Sequence, residues 1–251
     1  MLRVENVTKN YGSFQVLKSV SAEFPAGSIS SIIGPNGAGK STLLNIMGRL
    51  TVANDGSVYL AGSPLQNWNP RELAKELAIL KQSNGTQMQL TVEDLVAFGR
   101  FPHSQGRLTK TDRERIETAI EFTGLADSRK KYISQLSGGQ RQRAYIAMVI
   151  AQDTKIILLD EPLNNLDMKH ALAVMELLQR LSREKGKTIV TVMHDINIAA
   201  AFSSHLYAIK DGMIAFAGPS ESCMNARCLS AIFGVPCRIL NCRGQRICMY
   251  Y

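Results

Sequence analysis

Nine consecutive residues constrain this chain more than any others: Gly34-Pro35-Asn36-Gly37-Ala38-Gly39-Lys40-Ser41-Thr42. They fit the pattern G-x-x-x-x-G-K-[ST]. The context matches the pattern too, since the apolar stretch Ser28–Ile33 precedes it and Leu43, Leu44 and Met47 follow at helical spacing. Glycines let backbone N–H groups turn inward around phosphate oxygens, and a helix starting at Lys40 points its positive end at the same anions. Lys40 then supplies a point charge for the terminal phosphates, and the Ser41 hydroxyl suits Mg²⁺. A Gly-rich turn that only joins strand to helix is the plainer alternative. A strand–loop–helix of this kind commits the chain to an α/β fold with a largely parallel sheet.

The rest of the chain alternates accordingly. Leu2–Val7 and Leu17–Phe24 carry partial period-two alternation between turn residues, and Gly56–Gly62 and Leu77–Lys81 read as further short strands. From Ser83 to Ala151 helical signals dominate, with Thr91 and Asp94 forming a capping-box pattern and Thr111 and Glu114 a second one. Strands return at Ile156–Asp160, Thr188–Met193, Leu206–Lys210 and Met213–Phe216, with a long helix over about residues 169–184. The expected division is therefore residues 1–82 with 152–218 as a nucleotide-binding core, 83–151 as a helical insertion, and 219–251 as a C-terminal extension packed on the core.

Composition excludes some classes. Hydrophobic residues at 45% and charged residues at 20% describe a globular chain rather than a disordered one. No apolar run reaches the ~18 residues of a bilayer span, and no signal-peptide pattern opens the chain. A cytosolic protein is expected, whose membrane contacts come through a partner. The formal charge of +8 fits anionic partners without choosing among nucleotides, nucleic acid and a membrane face. After Glu221 no acid follows, and all five cysteines (Cys223, Cys228, Cys237, Cys242 and Cys248) lie in that stretch. Their odd number and wide spacing favour reduced thiols packed as small hydrophobes over a disulfide frame or a metal centre.

Two further constellations carry chemistry. Ile156–Leu159 is a buried-type strand ending in Asp160 and Glu161, and parallel strands present functional groups at their carboxyl ends. Asp160 suits Mg²⁺, and Glu161 suits orienting or deprotonating an attacking water. By itself such a pair is also how a strand ends in solvated acids. Leu136-Ser137-Gly138-Gly139-Gln140 precedes an apolar-faced helix, a second anion-binding helix start. Two phosphate cradles with one lysine suggest a nucleotide shared between two copies.

The order GPNGAGKST, LKQ, LSGGQ, ILLDE, NNLD and MHD resembles the ATP-binding cassette (ABC) ATPases over residues 1–218. The resemblance implies a P-loop NTPase with a RecA-like core, an antiparallel β subdomain and a helical subdomain insertion. It implies roles residue by residue. Tyr11 stacks on adenine; Gly34 to Thr42 hold the phosphates; Gln82 senses Mg²⁺ and joins the core to the insertion. Ser137, Gly138, Gly139 and Gln140 reach the γ-phosphate of ATP held by the other protomer. Asp167 crosses the dimer seam, although Leu163-Asn164-Asn165-Leu166-Asp167 departs from the commoner Ser/Thr-Ala-Leu-Asp form. His194 is the switch histidine on the γ-phosphate; in the plainer reading it is structural and Asp195 only caps a helix. The catalytic set is then Glu161, His194, Lys40 and Gln82, the metal set Ser41, Gln82 and Asp160 around Mg²⁺, and ATP the substrate of an ATP-dependent homodimer.

Within that family, Ala97–His103 and Leu163–His170 resemble the iron–siderophore and cobalamin importer ATPases, the second stretch the catecholate-siderophore branch in particular. This implies two separate permease subunits, indirectly a periplasmic or lipid-anchored siderophore-binding protein, no nucleic acid, and a peripheral place on the cytoplasmic face of the bacterial inner membrane. Cobalamin or haem import is the near alternative. An ABC ATPase acting on nucleic acid or ribosomes is the distant one, and it lacks here the coiled-coil insertion or second cassette such proteins carry; a regulatory ATP-binding module without turnover sits poorly with Glu161, Lys40 and His194. Met88, Leu90, Val92, Leu95 and Phe98 are expected to line a groove for a permease helix, or else to be core of the insertion.

Overall fold

The computed structural model describes residues 1–81, 89–242 and 244–250. Along the chain come β1 (Leu2–Tyr11), β2 (Phe14–Phe24), β3 (Ile29–Ile33), α1 (Lys40–Met47), β4 (Asp55–Leu60), β5 (Ser63–Pro64), α2 (Pro70–Glu76) and β6 (Leu77–Leu80). A helical stretch follows: α3 (Val92–Phe98), α4 (Phe101–Ser104), α5 (Lys110–Phe122) and α6 (Gly138–Gln152). Then come β7 (Ile156–Asp160), α7 (Met168–Lys185), β8 (Thr188–Val192), α8 (Ile196–Phe202), β9 (His205–Lys210), β10 (Met213–Pro219), α9 (Ser220–Cys223), α10 (Ala226–Phe233), β11 (Cys237–Cys242) and β12 (Gln245–Tyr250).

The strands sort by their burial. β3, β7 and β8 are buried at every position, so they read as continuous apolar runs and lie inside a six-stranded sheet ordered β10-β9-β3-β8-β7-β6. Its pairings are parallel from β6 to β9, and only β10 is antiparallel, as the helix–strand alternation predicts. β1 and β2 alternate instead, and with β4 and β5 they form a four-stranded antiparallel sheet ordered β2-β1-β4-β5. Helix α1 sits between the two sheets, with Leu43, Leu44 and Met47 buried against residues of both. α3, α5 and α6 pack on one another in a helical layer whose apolar faces join the second core cluster.

One expected helix start is corrected. Thr109, not Thr111, caps α5: its hydroxyl accepts from the Asp112 N–H at 3.2 Å, and the Asp112 carboxylate accepts from the Thr109 N–H at 2.9 Å. Glu114 could have made the rival box, but Asp112 has a second task. It is buried and accepts from Arg100 Nε at 2.8 Å, while Arg100 also donates to the Ala151 carbonyl at 2.7 Å. A cap that neutralises a buried guanidinium outweighs one that faces water. The Thr91–Asp94 box forms as expected.

The proposed groove residues divide. Val92 and Leu95 are core of the helical layer, Leu90 is half-buried, Phe98 is half-exposed, and Met88 lies outside the described residues. The C-terminal stretch folds onto its own chain. The Asn197 side chain on α8 brackets the Cys248 backbone, accepting from its N–H at 2.8 Å and donating to its carbonyl at 3.1 Å. Cys223, Cys237 and Cys248 are buried in the main core as small hydrophobes, Cys228 is half-buried, and Cys242 is exposed. Burial pushes the Cys223 and Cys248 thiols up to about 12, which leaves both poor nucleophiles.

Candidate functional site

The carboxyl ends of β3, β7 and β8 and the start of α1 converge on one cleft of about 620 Å³. Gly39 sits at φ +103°, a left-handed position that closes the loop over the helix start. A Cβ there would meet Leu17 Cδ2 at 2.7 Å and the Val16 carbonyl at 3.0 Å, so glycine lets the loop pass close against β2, and the first turn of α1, the electropositive end of the helix, lies at the cleft. Asn36, Gly37, Lys40, Ser41 and Thr42 line the same wall, and Val16 from β2 closes one side.

Lys40 is buried, and its ammonium donates to the carbonyls of Gly34 at 2.8 Å and Pro35 at 2.9 Å. Burial holds its pKa below the usual lysine value, against the pull of Glu161 and Asp160. Ser41 Oγ donates to Asp160 Oδ1 at 2.8 Å. Burial raises the Asp160 carboxyl above the usual range; the Ser41 bond opposes that shift and the Glu161 charge adds to it. A hydroxyl and a carboxylate are hard oxygen donors, so Ser41 and Asp160 fit Mg²⁺ held together with phosphate oxygens.

Glu161 follows Asp160 with a left-handed backbone, φ +49°, which is costly for a residue with a Cβ. The turn swings its carboxylate out of the sheet and into the cleft. There Oε1 meets His194 Nε2 at 2.6 Å, and Oε2 accepts from the Asn164 side-chain amide. His194 stands just past β8, and Asp195 is indeed a cap, accepting from the N–H groups of Asn197 and Ile198. Capping by Asp195 and facing of the cleft by His194 are therefore separate tasks of neighbouring residues.

Other expected site residues lie elsewhere. Tyr11 is half-exposed at the end of β1, with the Lys9 ammonium 5.2 Å from its ring centre, and it does not line the cleft. Gln82 lies outside the described residues. Ser137 caps α6 in a reciprocal box with Gln140, but none of Ser137, Gly138, Gly139 and Gln140 lines the cleft of its own chain. Asp167 caps α7, accepting from both the backbone and the ring of His170 at 2.9 and 2.8 Å. Those bonds, the backbone one first, hold its carboxyl below the usual value. His170 in turn packs under the start of α6: a Cβ on Gly139 would meet its Cδ2 at 2.2 Å. A Gly139→Ala variant is accordingly expected to lose about 1–3 kcal/mol by overpacking, and His170→Ala in the same chain should restore the loss, as urea denaturation of the two variants would show. Asn164 and His170 are the site residues that sequence reasoning missed.

The ABC transporter family profile matches residues 17–164. The chain belongs to the ABC transporter ATPase family. This ABC ATPase is 51% identical over 251 residues to the petrobactin import ATP-binding protein YclP of Bacillus subtilis (strain 168), covering 100% of both chains. It is 42% identical over 242 residues to the ferric enterobactin transport ATP-binding protein FepC of Escherichia coli (strain K12), covering 96% of this chain and 89% of that one. The dimeric structure of MJ0796, a bacterial ABC transporter cassette, superposes on this ABC ATPase with a TM-score of 0.77 at 34% identity, over 88% of this chain and 99% of that one. The α/β fold with its separate antiparallel sheet is that of the ABC cassettes.

Proposed function

We propose that this chain is the ATP-hydrolysing subunit of a bacterial importer of ferric siderophores. The observation that carries the chemistry is the Glu161 carboxylate, turned into the phosphate cleft by its left-handed backbone and met there by His194. In this reading the loop from Gly34 to Gly39 and the start of α1 hold the phosphates, and Lys40 lies against the terminal ones. Glu161 accepts the proton of the attacking water, and His194 steadies both that carboxylate and the γ-phosphate. Ser41 and Asp160 hold Mg²⁺, with Gln82 as a third contact; when bound, the ion neutralises charge on the phosphates.

The signature residues Ser137 to Gln140 lie away from their own chain's cleft, which supports a homodimer in which each copy completes the other's site. Tyr11 stacks on adenine, and Asp167 stands at the seam. The domain division is proposed as expected: 1–82 with 152–218 the core, 83–151 the signature-bearing insertion, 219–251 the extension. Among the described residues no helix is long and apolar enough to cross a membrane, so two separate permease subunits are proposed, with the chain peripheral on the cytoplasmic side and a siderophore-binding protein upstream.

The siderophore reading rests on the relatives named petrobactin and ferric enterobactin transport proteins. The test is uptake by cells from which the gene for this chain is deleted. They should lose import of radio-iron bound to a catecholate siderophore, regain it with the wild-type chain, and keep cobalamin uptake. Loss of cobalamin rather than iron uptake would overturn the cargo while leaving the ATPase intact.

A further inference from the structure

A general base is useful only if its carboxylate points at the water. Glu161 carries a long side chain with several rotatable bonds on a left-handed backbone that is itself costly. The carboxylate needs holding from both sides. His194 does so at Oε1, reaching in from the end of β8. On the other oxygen the amide of Asn164 donates to Oε2, reaching back from the turn that leads into α7. Asn164 is well placed for this, because its own N–H donates to the Glu161 carbonyl at 3.3 Å, closing the turn that brings the two side chains together. Both residues line the cleft.

We propose that Asn164 is a positioning residue for ATP hydrolysis, clamping the Glu161 carboxylate opposite His194; this rests on the reading of Glu161 as the base. The chemistry of the two clamps differs. An imidazole can trade a proton with a carboxylate. An amide cannot, so Asn164 fixes direction without competing for the proton taken from water. The Asn164 amide donates to Oε2 and His194 meets Oε1, so each oxygen of the carboxylate is held by a different side chain.

The proposal predicts a split between turnover and binding. With the full-length chain, Asn164→Ala should lower kcat by roughly tenfold to hundredfold, the range expected for losing one hydrogen bond to a charged group. KM for ATP and the affinity for a fluorescent ATP analogue should stay within about twofold, since the amide touches the base rather than the nucleotide. Asn164→Gln, which keeps the amide donor, should recover most of the lost kcat. A kcat for Asn164→Ala equal to wild type overturns the proposal. A loss that comes with weaker nucleotide binding, or that Asn164→Gln does not repair, overturns it as well, because a merely structural role would behave so. Glu161→Gln is measured alongside: if that variant turns over at the wild-type rate, the base assignment itself fails, whereas a dead Glu161→Gln beside an unimpaired Asn164→Ala sinks the clamp alone.

Discussion

Glu161→Gln should bind ATP as tightly as wild type, hydrolyse it about 10²- to 10⁴-fold more slowly, and accumulate as an ATP-bound dimer. The reasoning runs through geometry. The amide replaces one carboxylate oxygen with a donor and cannot take a proton from water, while its size and shape leave the turn at φ +49° undisturbed. In the proposed reading the phosphates are held by the loop and by Lys40, whose ammonium is fixed by the Gly34 and Pro35 carbonyls and not by Glu161. The signature residues sit outside their own chain's cleft; in the proposed homodimer a second copy closes the site, and a site that closes without hydrolysing holds that copy. Size-exclusion chromatography with ATP shows the outcome: a dimer peak for Glu161→Gln that wild type loses as it turns over. A variant that stays monomeric with ATP, or hydrolyses at the wild-type rate, removes Glu161 from the role of base.

Much of this site is legible from the chain alone because its parts are local. A phosphate loop is one strand, one turn and one helix start, and all its requirements lie within Ser28 to Met47. Buried parallel strands announce themselves as apolar runs, and the acids at the end of β7 fall where such strands present groups. The same locality explains the misplaced start of α5. As text Thr111–Glu114 is the better match to the box, with Glu at its last position, and Thr109–Asp112 only a variant of it. The choice is made by Arg100, whose buried guanidinium needs the Asp112 carboxylate.

The residues that stayed hidden are those whose partners the fold supplies. Asn164 looks like an ordinary turn residue until Glu161 adopts a left-handed backbone and places its carboxylate within reach. His170 reads as one polar residue of an amphipathic helix, yet its ring fills the space that Gly139 leaves open thirty-one positions earlier. Gly139 thus has a steric reason to be glycine, set by a neighbouring ring, beside the one proposed for the helix start. The C-terminal cysteines show the opposite limit. Nothing in their spacing reveals that three pack into the core while Cys242 faces solvent: Cys223 is buried from α9, and for Cys237, Cys242 and Cys248 the register of the β11–β12 hairpin and its docking on Asn197 decide.

Lys40→Met should weaken ATP binding by about a hundredfold or more, the scale of losing charged contacts to two phosphate groups, without weakening the fold. The second half follows from burial. In the folded chain Lys40 is buried, and burial makes its charged form harder to hold than in water, which lowers its pKa. Two loop carbonyls and the nearby Asp160 and Glu161 charges offset that cost only in part, since the net shift remains downward. Methionine keeps the length and volume of the stem and has no charge to desolvate. The nucleotide-free Lys40→Met chain should therefore melt no lower than wild type. ATP should raise the melting temperature of wild type and leave that of the variant almost where it was, by mass action on a site it no longer fills. Scanning calorimetry with and without ATP reads both halves. A variant that melts well below wild type without nucleotide would mean that the ammonium bonds to Gly34 and Pro35 hold the loop together rather than strain it.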